Sequence, residues 1–175
     1  MQAFPAEIRS EFTMVSDVVA LGGGTLGFDN PVEIDVVGSG WSSWSHGYTG
    51  PVYWSMTNAL NLTLPANTQA FYMYVEPNLR DFFEFEFTSG TTTAILNING
   101  NAMAQYIGVY IDDPFASLTG VSITQTTADS DGFAVGEFAT NTNGHVPDGG
   151  SSIALLGLGL TAVAGLRSRL HQARV

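Results

Sequence analysis

The sequence predicts an all-β fold: an antiparallel β-sandwich or jelly roll of about nine strands, plus a C-terminal hydrophobic helix. Three observations carry this reading. Short apolar segments alternate with polar residues from Met14 to Phe138, split by Gly, Pro, Asn and Asp. Charged residues make up only 12% of the chain, and Gly, Ser, Thr and Asn stand in their place. That share is about half the usual one for a soluble domain. Finally, the run Ser152–Leu166 holds no charge at all.

The strands follow one another at short intervals. "FTMVSDVVAL" runs into the glycine break Gly22–Gly24. "VEIDVVG" sets Val32, Ile34 and Val36 against Glu33 and Asp35. "ALNLTLPAN" alternates Leu60, Leu62 and Leu64 with Asn61 and Thr63, and stops near Pro65. "TQAFYMYVEPN" follows, then "FFEFEFTSG", where Phe83, Phe85 and Phe87 alternate with Glu84 and Glu86. "TTTAILNING", "AQYIGVYIDD", "LTGVSITQTT" and "GFAVGEFAT" complete the series. Period two puts alternate side chains on opposite faces of a sheet, so each segment offers one apolar face to a core.

Charge divides the chain. Residues 1–145 hold fifteen acidic side chains against Arg9 and Arg80, a balance of −13. Residues 146–175 hold Asp148 against Arg167, Arg169 and Arg174, a balance of +2, which returns the total of −11. So acidic a body repels phosphate backbones, and nucleic acid is not an expected partner. With no cysteine, disulfides and thiolate chemistry are excluded. The opening "MQAFPAEIRSEF" lacks the basic and apolar regions of a signal peptide, so the expectation is that the true start lies upstream of Met1.

Four regions result: a β-sandwich ectodomain over 1–143, a linker over 144–151, an anchor helix over 152–166 and a basic tail over 167–175. The boundary "TNTNGHVPDGG" has linker composition. Fifteen helical residues reach roughly 22 Å, short of the roughly 30 Å hydrocarbon core. Gly157, Gly159 and Gly165 suit a membrane helix better than a soluble one. The arginines beyond it can reach the headgroups and set the orientation with the end inside.

The segment "VPDGGSSIALLGLGLTAVAGLRSRL" resembles the PEP-CTERM sorting signal in its VPD-type variant. Val146, Pro147, Asp148, Gly149, Gly150 and Ser151 form the motif, Ile153–Leu166 the hydrophobic stretch, and Arg167, Arg169 and Arg174 the basic end. Asp148-Gly149-Gly150 stands where the commoner form has Glu-Pro. The resemblance implies export in a bacterium with an outer membrane. It further implies an inner-membrane anchor, processing by an exosortase-type enzyme, and a final place at the cell surface or in the extracellular matrix. The body, through "WSSWSHGYTGPVYW" and "AQYIGVYIDDPFASLTGVSIT" among others, is similar to the β-sandwich that often precedes this signal.

Within the body, Trp41, Trp44, Tyr48, Tyr53 and Trp54 cluster among Ser, Gly and Thr, near His46. Such rings either stack on sugars or fill the ends of a core. Asp112, Asp113, Asp129 and Asp131 are candidates to hold calcium, the only cofactor considered. "DSDG" begins like a calcium loop, but Ala134 and Thr140 fall where glycine and glutamate are required, and Asp and Gly are ordinary turn residues. Glu84 and Glu86 share a face but read as its solvent side. No G-x-S-x-G or H-x-x-x-H pattern is present. The expectation is therefore a structural or adhesive protein associated with exopolysaccharide and not an enzyme. A carbohydrate-binding module using the loop 41–54 is the alternative, and a hydrolase is the remote third reading.

Overall fold

The computed structural model describes residues 2–3, 9–19, 24–113, 115–127 and 131–141. The expected linker, anchor helix and basic tail lie outside the described residues. Among those described there is no helix long and apolar enough to cross a membrane.

The described residues form eleven strands: β1 (Gln2–Ala3), β2 (Met14–Val19), β3 (Thr25–Val36), β4 (Pro51–Ser55), β5 (Ala59–Thr68), β6 (Ala70–Pro77), β7 (Phe82–Ser89), β8 (Thr92–Asn99), β9 (Gln105–Tyr110), β10 (Leu118–Gln125) and β11 (Phe133–Asn141). They make one sheet in the order β8-β7-β10-β5-β3-β4-β11-β6-β9, with β1 on β11 and β2 on β3. All named strand pairs are antiparallel. The all-β expectation is met, with more strands than the about nine read from the pattern.

The added strand β4 and the greater length of β3 have physical reasons. β4 carries Val52 into one apolar cluster and Tyr53 into another, so both its faces are covered and its sequence shows no polar alternation. β3 begins at Thr25, ahead of the segment read from Val32, and continues through Asn30 and Pro31. Its pairing with β2 jumps from Val32 to Gly27, so no ladder bond is asked of the proline.

Inward residues of strands far apart in the order share one core. Phe85 of β7 meets Phe133 of β11 edge to face, ring centroids 5.3 Å apart. The sheet therefore doubles back on itself. Leu26, Ile34, Leu60, Leu62, Phe71, Met73 and Ile123 fill the space between. Each such side chain contributes about 1.5–3 kcal/mol on burial.

Candidate binding surface

Alternation along β6 sorts its side chains. Phe71, Met73 and Val75 enter the main core, while Tyr72, Tyr74 and Glu76 face the other way. Register extends this outer face sideways. Tyr74 lies opposite Tyr106 of β9, Tyr72 opposite Gly108, and Gly136 of β11 opposite Tyr74.

The loop between β3 and β4 folds over part of this face. Trp41 and Trp44 are buried there with Val52, Ala104 and Ala134, and Val37, Tyr48, Trp54 and Tyr74 pack around them. Two carboxylates pin it. Glu76, itself buried, accepts from Trp41 Nε1 at 3.1 Å and from Ser43 Oγ at 2.7 Å. Glu137 accepts from Trp44 Nε1 at 2.7 Å, and its other oxygen meets His46 Nε2 at 2.9 Å. Ser45 Oγ also donates to the Ala104 carbonyl.

Glu137 reaches the loop because β11 is irregular there. The register with β6 shifts between Gly136 and Ala139, and Glu137 takes φ 51°. Such a bulge re-aims one side chain while the strand continues. Phe138 meanwhile points inward, against Tyr53 and Phe71. Gly136 leaves room for Trp44: a Cβ there would lie 3.2 Å from the indole.

Beyond the loop lies an aromatic cluster. Tyr72 and Tyr106 have ring centroids 5.5 Å apart, Tyr74 and Tyr106 5.6 Å, and His46 and Tyr74 5.0 Å. Tyr106 is 49% exposed. Its ring lies over Gly108, where a Cβ would come within 2.7 Å of the phenol oxygen. Desolvation pushes the Tyr74 phenol up, and the Glu137 carboxylate adds to this, followed by Tyr72 and Tyr106. Tyr48 rises to about 12, again through burial first and Glu137 second. Both phenols stay protonated at neutral pH and keep their donors.

The rings read as either sugar-stacking or core-filling are thus divided. Trp41, Trp44 and Tyr53 are buried packing residues. Tyr48 and Trp54 are half-buried, with Tyr48 Oη donating to the Pro51 carbonyl at 2.9 Å and Trp54 Nε1 to the Asp131 carbonyl at 3.1 Å. Tyr53 and Trp54 also belong to strand β4 and not to a loop. The cluster of half-buried Tyr72 and Tyr74 with exposed Tyr106 was missed. Its signal was present in "FYMYV" and "QYIGVY", where tyrosine recurs at the positions that strand alternation turns outward.

The acidic turns do not combine. Asp112 and Asp113 follow Tyr110, which pairs with Ala70, whereas Asp131 precedes Phe133, which pairs with Pro77. Those are opposite ends of β6, roughly 23 Å apart at the rise of a strand. Asp113 Oδ1 caps a turn by accepting from Phe115 N at 2.9 Å. Asp129 lies outside the described residues. Among those described, no group of three or more His, Asp or Glu side chains is placed to hold a metal.

Val146–Ser151, Arg167, Arg169 and Arg174 also lie outside the described residues. A comparison with curated proteins gives no match. A family model for the VPDSG-CTERM motif matches residues 145–170, which takes in Val146–Ser151, the hydrophobic run, Arg167 and Arg169. The chain thus carries a PEP-CTERM-like C-terminal sorting signal, which marks an exported protein directed to the cell envelope and implies processing by an exosortase.

Proposed function

We propose that this protein is a structural or adhesive component of the cell surface or extracellular matrix, and that its jelly-roll β-sandwich holds neutral exopolysaccharide. The observation that carries this is the cluster of Tyr72, Tyr74 and Tyr106, with His46 packed on Tyr74. Tyrosine combines a broad apolar ring with a hydroxyl donor, at low entropy cost, so it suits a ligand with apolar ring faces and hydroxyl edges. The body's balance of −13 disfavours an anionic polymer.

Binding, not catalysis, is the reading. The carboxylates that pin the loop, Glu76 and Glu137, are committed to indole donors. In the remainder of the proposal, 152–166 is a temporary inner-membrane anchor with the arginines inside, and Val146–Ser151 is where the processing enzyme acts.

Affinity electrophoresis of the full chain in gels containing dextran, hydroxyethylcellulose or anionic alginate tests the role. Retardation by a neutral polymer, abolished in Tyr72→Ala and Tyr106→Ala, is expected. Equal mobility of wild type and both variants in all three gels would overturn the proposal.

A further inference from the structure

Among the described residues the sheet does not close. There, β8 pairs only with β7 and β9 only with β6, so each keeps one row of backbone N–H and C=O groups without a described strand partner. A groove of about 610 Å³ runs between these two edges. Phe87, Ala94, Leu96, Ile107, Val109 and Leu118 supply its apolar lining, and serine and threonine hydroxyls its rim. No lining residue carries a charge, in a body whose balance is −13.

Edge strands are usually guarded by charge, proline, a bulge or shortness. β8 has none of these. It pairs with β7 through eight consecutive residues without a register shift. Thr92–Asn97 are all exposed, and Ile95 is 57% exposed. A long, regular, uncharged edge facing a second free edge is a receptor for main chain.

We propose that the groove accepts an extended peptide strand from a partner protein, uncharged or basic, with apolar side chains at alternate positions. Only a peptide offers donors and acceptors at the spacing both edges present. Its alternate side chains would reach the lining of Leu96, Ile107 and Val109, as alternation requires. The lining shares Tyr106 with the tyrosine face, but away from that ring it is mostly aliphatic, with Leu96, Ile107, Val109 and Leu118. The acidic body disfavours an acidic strand and a second copy of itself.

The test uses the full chain and a fluorescein-labelled nonapeptide of alternating Thr and Val with Lys at each end. Anisotropy is expected to show saturable binding. Hydrogen exchange of wild type is expected to slow in β8 and β9 by at least about tenfold, with β5 and β11 unchanged. A peptide N-methylated at alternate amides, which removes one row of donors, is expected to bind at least about tenfold more weakly, as is the wild-type peptide to Leu96→Glu. Leu96 is 40% exposed, so that variant is expected to keep its melting temperature. The exchange result on wild type decides even if the variant misfolds. The proposal is overturned by any of three results: no binding up to about 1 mM, equal binding of the N-methylated peptide, or protection of β8 in the free chain through self-association.

Discussion

Trp44 donates its indole N–H to Glu137 at 2.7 Å, across a bulge that holds Glu137 at φ 51°. A non-glycine residue in that region carries strain of about 1–3 kcal/mol. The bond to Trp44 and the contact with His46 at 2.9 Å offset it. Two variants separate these effects. Glu137→Ala loses the acceptor and keeps the strain, so urea denaturation is expected to show a loss of about 2–3 kcal/mol. Glu137→Gly loses the acceptor but relieves the strain, so its loss is expected to be smaller by about 1 kcal/mol. Equal losses would mean that the backbone there is unstrained.

Asp35 makes stability depend on pH. The side chain is 3% exposed, and burial, reinforced by Glu33 and Glu11, raises its pKa from 3.8 to about 6. The folded state therefore holds this proton more tightly than the unfolded one. The contribution is fully present below about pH 4 and is lost as pH rises through about 6. Asp35→Asn removes the ionisation, so it is expected to raise the melting temperature at pH 7 and change it little at pH 4. With allowance for solvent screening, the gain at pH 7 is on the order of 1 kcal/mol. Thermal unfolding of both proteins across pH 4–8 checks this, and parallel curves would contradict it.

The strand pattern was legible wherever one face met the core and the other met water. "FFEFEF" became β7 with Phe83, Phe85 and Phe87 inward, as the alternation required. It was illegible where both faces are covered. "PVYWS" shows no alternation because the loop bearing Trp41 and Trp44 lies on its outer side. The same covering explains why the loop's aromatic richness left two readings open. A ring-dense loop reads alike whether its rings meet solvent or sheet, and only the indole bonds to Glu76 and Glu137 distinguish the two. Those partners are 35 and 93 residues away, beyond any local signal. The sorting signal was fully legible because it is a contiguous motif.

Gly108 supports the tyrosine face through what it lacks. A Cβ there would crowd Tyr106 Oη, the far end of a movable side chain, so the ring would lift and the backbone need not move. Gly108→Val is thus expected to leave stability within about 1 kcal/mol of wild type, with β-branching favourable in a strand. Binding to neutral polysaccharide is expected to fall several-fold in affinity electrophoresis. Unchanged retardation would show that Tyr106 contributes nothing to the face.

Gly132 is limiting in the opposite way. It sits at φ 82°, and a Cβ would run into the Ser55 carbonyl, which is backbone and cannot swing aside. The position lies just before β11, whose Phe133 is fully buried against Phe85. Gly132→Ala must therefore either displace the end of β4 or shift Phe133 in the core. Each route adds to the cost of the left-handed backbone, and the sum is expected to exceed about 2 kcal/mol. Urea denaturation would show it as a lower midpoint with an unchanged slope. A loss under about 0.5 kcal/mol would mean that the β4–β11 junction yields without disturbing the core beneath it.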